Sequence, residues 1–349
     1  MQKKILVTGG CGYIGSHTCI ELLKQGFQIT ILDSLINSNK FSIDRIREVI
    51  KKDSPKLKVN IELSVGDIRD YSYVDELFSS KGPFLGVIHF CGLKSVSQSM
   101  EKPIEYWDVN VLGTITLVKV MKKYRCHTIV FSSSATVYGL PNSIPIKENF
   151  EVKPINTYGI TKSIVEKILF DLHQELEDQF RIAILRYFNP IGAHDTGLIG
   201  EYVTSEPNNI FPLLNQVALG IRPIFEIYGK DWPTKDGTCI RDYIHIMDLA
   251  KGHILALDYL LTNNPGFITI NLGNGEGVSV LDLIRTFEKV NNVELPFKYV
   301  KRRIGDVPVL VADNQLAIKI LKWKPIKKLD DMCLDEWRWQ LKKSNIKTN

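Results

Sequence analysis

The chain has 349 residues, of which 44% are hydrophobic and 24% charged, a composition typical of a globular protein with a sizeable core. Its 44 lysine and arginine residues against 39 acidic residues give a formal charge of +5, a far smaller surplus than nucleic-acid-binding proteins usually carry. No run approaches the roughly 20 apolar residues of a membrane-spanning helix, and no secretory signal pattern is found at the beginning.

Short apolar runs alternate with helically spaced segments through the first half of the chain. Six runs have the character of buried strands: Ile5–Thr8, Gln28–Leu32, Val59–Val65, Gly86–Phe90, Thr128–Phe131 and Arg181–Leu185. Strands that are apolar throughout are buried on both faces, and the intervening helices cover those faces. The pattern therefore predicts an α/β fold with a doubly wound parallel sheet of the Rossmann type, whose ligand lies outside the carboxyl ends of the strands.

After residue 189 the pattern loosens, because proline, glycine and asparagine become frequent and the strands become shorter. We therefore predict a cofactor-binding domain over residues 1–189 and a smaller α/β substrate-binding portion over residues 190–349. One later apolar run, Ile268–Leu272, is a candidate to return to the main sheet.

Residues 8–15 read Thr-Gly-Gly-Cys-Gly-Tyr-Ile-Gly, between the first predicted strand and the first predicted helix. Such glycines let the backbone approach a pyrophosphate, which then lies against N–H groups at the helix N-terminus. A structural turn is the alternative for the glycines alone. Asp33, 18 residues beyond Gly15, has the position of a carboxylate that accepts hydrogen bonds from ribose hydroxyls. Its charge would repel a 2′-phosphate, so we predict NAD rather than NADP.

Tyr158 and Lys162 form a Tyr-x-x-x-Lys pair whose members lie on one helical face. An ammonium near a phenol favours the phenolate and lowers a pKa that is ordinarily about 10, so the tyrosine is a candidate general base. The run Thr128–Phe131 leads into three serines, 132–134, whose hydroxyls stand at a strand carboxyl end. An exposed helix pair and a serine cap are the alternatives for each motif alone. Their combination with the glycine loop favours a hydride-transfer site.

At these residues the sequence closely resembles the extended short-chain dehydrogenases and, within them, the UDP-glucose 4-epimerases. The specific part consists of Leu-Arg-Tyr-Phe-Asn-Pro-x-Gly-Ala-His at 185–194 and Asp-Gly-Thr-x-x-Arg-Asp-Tyr-Ile-His at 236–245. Shorter matches are Phe-x-Gly-Leu-Lys at 90–94 and Ser-Ser-Ser-Ala-Thr-Val-Tyr-Gly at 132–139. The resemblance covers nearly the whole chain.

The resemblance implies an NAD-dependent isomerase that interconverts UDP-glucose and UDP-galactose through a 4-keto sugar. Tyr158 would take the proton of the sugar 4-hydroxyl, Ser134 would hydrogen-bond the same oxygen, and Lys162 would bind the nicotinamide ribose. The hydride removed from carbon 4 would return to the opposite face of the sugar, so no external oxidant is consumed.

The implied contacts divide between the cofactor and the sugar nucleotide. The residues implied to bind NAD are Gly9, Gly12, Tyr13, Ile14, Gly15, Asp33, Asn37, Ser38, Asp67, Ile68, Phe90, Gly92, Lys94, Asn110, Ser132, Tyr158, Lys162 and Tyr187. The residues implied to bind the UDP-sugar are Lys94, Ser134, Tyr158, Asn189, Asn209, Ile210, Tyr228, Arg241, Arg303, Asp306 and Leu310.

Each of several implied contacts has a structural alternative. For Asp67, at the end of the third strand pattern, it is a helix cap rather than a contact with adenine. The two arginines suit a diphosphate because a planar guanidinium donates to two oxygens at once. Their alternatives are the ion pairs Arg241–Asp242 and Arg303–Asp306, and for Tyr228 the alternative is core packing.

Three departures from the family pattern leave the catalytic groups intact. Cys91 stands at a usual alanine, Thr157 at a usual proline and Ile160 at a frequent lysine. Leu310 occupies a wall position that is tyrosine in some relatives restricted to plain hexoses. Its smaller side chain is the basis of the hypothesis that UDP-N-acetylhexosamines are also substrates.

The main alternative is another NAD-dependent nucleotide-sugar enzyme, such as a different epimerase, a 4,6-dehydratase or a decarboxylase. Dehydratases carry Thr-Asp-Glu where this chain has Ser-Ala-Thr at 134–136, and the missing acidic pair argues against dehydration. A non-catalytic NAD-responsive binding protein is a remote alternative, since such proteins tend to lose the base.

Apolar residues at helical spacing in Ile104–Tyr124 and Tyr158–Leu176 are expected to pack across a two-fold axis, as in relatives, which predicts a homodimer. Burial within one chain is the alternative. Six widely separated cysteines form no Cys-x-x-Cys pair, so we expect no zinc site and a cytoplasmic location. No motif suggests a nucleic-acid or membrane partner.

Overall fold

The computed structural model describes residues 3–175, 180–202, 209–263, 266–303 and 306–346. The strands are β1 (Lys4–Thr8), β2 (Gln28–Asp33), β3 (Ile61–Val65), β4 (Gly86–His89), β5 (Thr128–Ser134), β6 (Arg181–Tyr187), β7 (Asn189–Ile191), β8 (Phe225–Tyr228), β9 (Ile240–His245), β10 (Phe267–Leu272), β11 (Gly277–Ser279), β12 (Phe297–Val300) and β13 (Val309–Leu310). The helices are α1 (Tyr13–Lys24), α2 (Phe41–Asp53), α3 (Tyr71–Lys81), α4 (Val96–Glu101), α5 (Pro103–Tyr106), α6 (Gly113–Lys123), α7 (Thr157–Glu175), α8 (Ile210–Ala218), α9 (Ile246–Asn263), α10 (Val280–Asn291), α11 (Gln315–Leu321) and α12 (Leu329–Ile346). A π-helical segment, Trp107–Leu112, joins α5 to α6, and a 3-10 turn, Ala135–Tyr138, follows β5.

Seven parallel strands form the main sheet in the order β10-β6-β5-β4-β1-β2-β3, which confirms the predicted doubly wound α/β fold. The direction of strand succession reverses between β1 and β4, so the crevice at their carboxyl ends is the expected ligand site. The late strand β10 lies at one edge, where Leu272 pairs with Tyr187 of β6.

The main sheet is buried on both faces because successive side chains of a strand point to opposite sides. Ile5 and Val7 face the apolar cluster formed with α1, α2 and α9, whereas Leu6 faces the cluster formed with α3, α6 and α7. No helix in the described ranges is long and apolar enough to cross a membrane.

The second half adds two smaller sheets beside the carboxyl edge of the main sheet. Strand β9 lies between β11 and β13 and also pairs with β7, while β8 pairs with β12. Only Phe188 separates β6 from β7, so the chain passes directly from the main sheet into the second one. This short connection holds residues of both sheets close to the end of β5.

Candidate active site

The loop between β1 and α1 takes its shape from glycines. Gly9 adopts a φ of +70°, and a Cβ there would lie 2.9 Å from the main-chain nitrogen of Cys91. A Cβ on Gly15 would lie 2.3 Å from the carbonyl oxygen of Gly9, so only glycine lets the first turn of α1 approach the loop this closely. Gly12 is the N-cap of α1, and it has no side-chain cap hydrogen bond. The helix end, with the half-buried Tyr13 and Ile14, can therefore bind an anion through its main-chain N–H groups.

Asp33 ends β2 with its carboxylate held in one orientation. One oxygen, Oδ2, accepts a hydrogen bond from the Cys11 N–H at 2.9 Å. The other, Oδ1, accepts from the Leu35 N–H at 2.9 Å and from Ser38 Oγ at 2.7 Å. The carboxylate thus fastens the glycine loop to the β2–α2 loop, in which Asn37 is exposed.

Asp67 follows β3 and is paired with Arg69, whose Nη2 lies 2.6 Å from Asp67 Oδ2. Hydrogen bonds from this arginine hold the pKa of Asp67 below its ordinary range. The alternative that Asp67 caps a helix is wrong, because Asp70 is the N-cap of α3. Ile68 is buried, and a Cβ on Gly113 would lie 2.7 Å from its Cγ2.

The loop after β4 crosses from the cofactor crevice towards the second half of the chain. The ring of Phe90 packs against His253, with 4.8 Å between ring centroids. Lys94 is exposed, and its Nζ lies 2.6 Å from Oε1 of Glu201. This ion pair bridges the two predicted portions.

Asn110 fastens the same loop to α7. Its Oδ1 accepts from the Leu93 N–H at 2.8 Å, and its Nδ2 donates to the Leu93 carbonyl and to Thr161 Oγ1, each at 3.1 Å. A Cβ on Gly92 would lie 3.0 Å from Asn110 Oδ1. The polar atoms of this predicted cofactor residue are thus engaged with protein groups.

The serines predicted to lie after a strand belong to β5 itself, which continues to Ser134. Ser132 contacts the hydroxyl of Tyr187 through Oγ, and its carbonyl accepts a hydrogen bond from Lys162 Nζ at 2.8 Å. Ser134 lies close enough to Tyr158 for its hydroxyl to lower the pKa of the phenol. Ser134 also caps the 3-10 turn, accepting from the main-chain N–H two residues on at 3.2 Å. The cap alternative is therefore confirmed, and the hydrogen bond from Ser134 to the sugar oxygen stays a prediction.

Tyr158 and Lys162 are buried beside each other on α7, with the lysine Nζ 5.8 Å from the centroid of the tyrosine ring. Burial raises the pKa of Tyr158 to about 12, and the hydrogen bond with Ser134 offsets only part of this effect. Burial lowers the pKa of Lys162 to about 8. The predicted lowering of the phenol pKa is wrong for the protein alone, because desolvation of the phenolate outweighs the lowering effect of Ser134.

Two cations of the second half meet around Asp306. Arg241 Nη2 lies 3.6 Å from Asp306 Oδ1, and Arg303 Nε lies 3.9 Å from Oδ2. The ion-pair alternative for Arg303 is therefore confirmed. The alternative of an ion pair between Arg241 and Asp242 is wrong. The buried carboxylate of Asp242 instead accepts hydrogen bonds from three main-chain N–H groups.

Tyr228 ends β8 and stacks with an arginine rather than lying in the core. The guanidinium of Arg303 lies 4.1 Å from the centroid of its ring. Such a stack leaves one edge of the ring half-exposed, so Tyr228 lies beside the cations around Asp306.

The other predicted substrate residues lie at the beginnings or ends of elements. Asn209 is the exposed N-cap of α8 and makes no side-chain cap hydrogen bond, and Ile210 begins that helix. Asn189 begins β7 opposite Tyr243 of β9. Leu310 pairs with Arg241 in register and packs against the apolar cluster that includes Ala135 and Phe188.

Sequence reasoning missed a buried polar cluster behind the serines. Glu166 pairs with Arg186, whose Nη2 lies 2.6 Å from Glu166 Oε2. The arginine also donates to the hydroxyl of Tyr138, which in turn donates to Asn271 on β10. A signal was present, because Glu166 stands four residues after Lys162 and falls on the same helix face.

Comparison with known proteins identifies the family. The profile described as GDP-mannose 4,6 dehydratase matches residues 6–335. The bifunctional UDP-glucose 4-epimerase and UDP-xylose 4-epimerase 3 of Arabidopsis thaliana is 46% identical over 340 residues, 97% of this chain and 95% of that protein. The chain belongs to the UDP-glucose 4-epimerase family.

Solved structures of UDP-glucose 4-epimerases match this chain over nearly its whole length. The enzyme of Stenotrophomonas maltophila, with bound NAD and formylated UDP-arabinopyranose, is 43% identical, with a TM-score of 0.94 and 99% coverage of both chains. The enzyme of Bifidobacterium longum, in complex with NAD+ and UDP, is 41% identical, with a TM-score of 0.91 and coverage of 98% and 99%. The resemblance found in the sequence is thereby confirmed, and the dehydratase and binding-protein alternatives are not favoured.

Proposed function

We propose that this protein interconverts UDP-glucose and UDP-galactose, with NAD as its resident cofactor. The observation that carries the proposal is the convergence of Tyr158, Lys162 and Ser134 at the carboxyl end of β5. There they face the crevice at which the strand order reverses. Arg241 and Arg303, on the second half of the chain, supply the cations for a diphosphate.

The residues of the crevice fit NAD. Gly9 and Gly15 let the loop pack against the chain after β4 and against α1 more closely than a Cβ would permit, and the N-terminus of α1 supplies donors for a pyrophosphate. Asp33 carries the carboxylate that suits ribose hydroxyls and disfavours a 2′-phosphate. When bound, NAD would supply the hydride acceptor for sugar carbon 4 and a positive charge in the site.

The chain's own residues move the proton and hold the sugar. Tyr158 Oη takes the proton of the 4-hydroxyl, and Ser134 Oγ hydrogen-bonds the same oxygen. Lys162, with a pKa of about 8, is mostly protonated at neutral pH and adds positive charge beside the phenol. Burial of these groups excludes water, so the ketone is retained while it turns. Because the arginines bind the diphosphate, the hexose itself remains free to rotate.

The decisive experiment follows product sugars by chromatography after incubation with UDP-galactose and NAD. Tyr158→Phe is expected to keep NAD and lose about 100-fold to 10,000-fold in turnover, the usual contribution of a general base. Tyr71→Phe, which changes an exposed tyrosine on α3, is the matched control and should leave turnover unchanged. Full activity of Tyr158→Phe would refute the base assignment, and absence of epimerisation by the unchanged chain would refute the proposed function.

The same site favours a second substrate class, UDP-N-acetylhexosamines. Leu310 is half-buried, and its neighbours in the apolar cluster include the small Ala135 and Ala312. A leucine fills less of the space behind the sugar than a tyrosine would. We therefore infer that an N-acetyl group is accommodated there.

We further propose that two copies associate through α5, α6 and α7. Apolar side chains on the predicted segments remain exposed in one chain, among them Ile104 (76%), Leu112 (46%) and Phe170 (42%). Burial within one chain therefore does not account for them. Two such faces would bury these side chains as a four-helix bundle. Leu176, the end of the second predicted segment, lies outside the described residues.

A further inference from the structure

Three consecutive serines, 132–134, end β5, and each contacts a different turn of α7. The first and third contact the lysine and the tyrosine assigned to the reaction. The middle one, Ser133, is fully buried and donates from Oγ to Glu166 Oε1 over 2.5 Å. Glu166 stands four residues after Lys162 and eight after Tyr158, so the three helix residues share one face. Ser133 therefore adds a third contact between the end of β5 and α7, beside the two that involve Lys162 and Tyr158.

Arg186 fixes the glutamate from the far side. Its Nε lies 2.9 Å from Glu166 Oε1 and its Nη2 lies 2.6 Å from Oε2, a two-point pairing with defined direction. Nη1 donates to the Tyr138 hydroxyl and to the Glu148 carbonyl, each at 3.1 Å. Because β6 carries Arg186 and β5 carries Ser133, the glutamate is held by two neighbouring strands.

Such a buried pair is weak evidence for added stability, because apolar residues of similar volume often serve as well. The hydrogen bonds of Glu166 contribute a fixed orientation of the helix, because a hydrogen bond is strong only along a defined direction. The apolar contacts of α7 with the sheet, through Val165 and Leu169, resist separation of the helix from the sheet. The hydrogen bonds of the glutamate add directional restraints on its rotation and sliding.

We propose that the Ser133–Glu166–Arg186 chain is a positioning device that sets the rotation and height of α7 on β5. It thereby holds Tyr158 Oη against Ser134 Oγ at the sugar 4-hydroxyl. The inference rests on the proposed function, since it assigns a role within that reaction. A misplacement of about 1 Å between reacting groups costs about 100-fold in rate. The residues proposed to bind the diphosphate, Arg241 on β9 and Arg303 in the loop after β12, lie outside the main sheet and are not displaced.

The test compares Ser133→Ala and Glu166→Gln with the unchanged full-length, NAD-loaded chain. Both are expected to lower kcat for UDP-galactose by about tenfold to 100-fold, with KM changed by less than about threefold and bound NAD retained. The matched control is Glu175→Gln, on the same helix, whose carboxylate forms an exposed pair with Lys122. This control should leave kcat and KM unchanged.

A merely structural role predicts a different outcome: a lower melting temperature with kcat unchanged for each folded, NAD-loaded molecule. That result, or a rise in KM at constant kcat, would overturn the proposal. If Glu166→Gln fails to fold, Ser133→Ala decides, because it removes one hydroxyl and leaves the ion pair in place. Absence of turnover by the unchanged chain would instead refute the proposed function and, with it, this inference. Loss confined to the two variants supports the positioning role.

Discussion

Replacing Gly15 by alanine is expected to weaken NAD binding. The added Cβ would lie 2.3 Å from the carbonyl oxygen of Gly9 and 2.8 Å from the Cα of Gly10. Both obstacles are main-chain atoms that cannot rotate away, so α1 and the loop must separate by about 1 Å to reach ordinary contact. Strain of this kind costs about 1–3 kcal/mol in well-packed sites.

In the NAD-free variant, a shift of α1 away from the glycine loop relieves the strain. Binding of NAD requires the original position of the loop, so the strain returns and weakens binding. Because about 1.4 kcal/mol corresponds to tenfold in affinity, the dissociation constant for NAD is expected to rise by about 5-fold to 140-fold. Calorimetric titration of NAD-free protein measures it directly. Gly220→Ala is the control: Gly220 also has a positive φ (+70°), but its added Cβ meets nothing within 4 Å and it lies outside the glycine loop. An unchanged dissociation constant in folded Gly15→Ala would refute the steric argument.

Three further predictions concern substrate range, assembly and pH. Leu310→Tyr is expected to lower turnover of UDP-N-acetylglucosamine by about 10-fold to 200-fold while UDP-glucose turnover changes little; equal loss for both sugars would contradict the pocket model. Ile104→Arg is expected to convert a dimer to a monomer in sedimentation experiments and Ile221→Arg, at another exposed isoleucine, is not; a monomeric parent chain would refute the association. Since burial lowers the pKa of Lys162 from 10.5 to about 8, the unfolded chain binds more protons between these pH values. The contribution of Lys162 to the free energy of unfolding of the NAD-free protein therefore rises from pH 8 to 10.5. Urea unfolding of Lys162→Met should lack this rise, and an equal rise in the variant would contradict the assignment.

The sequence was informative about the main sheet because its strands are apolar on both faces and separated by regular helices. All six predicted strands exist, but their ends depend on neighbours. β5 continues to Ser134 since β6 pairs with it as far as Tyr187. β3 begins at Ile61 rather than Val59. The short strands of the second half carry too little periodicity to predict their pairing.

For the candidate site, motifs predicted which residues meet but not what surrounds them. The sign of the Tyr158 pKa shift depends on burial by several elements, which spacing along one helix does not reveal. The partner of Arg241 is 65 residues away at Asp306 rather than next to it. The Glu166–Arg186 pair joins a helix to a strand 20 residues later, so the spacing of Glu166 from Lys162 places it on the same helix face but does not reveal its partner.

The position of Asp306 between two guanidinium groups affects the rate at which the proposed enzyme releases its product. One negative charge within reach of Arg241 and Arg303 leaves the trio with a single net positive charge. The substrate and the product of an epimerase carry the same nucleotide. Excess affinity for the diphosphate would therefore strengthen the binding of both equally, which slows product dissociation without lowering the barrier of the chemical step. The carboxylate of Asp306 competes with the diphosphate for the two arginines, which lowers the affinity for the diphosphate and favours exchange of one sugar nucleotide for the next.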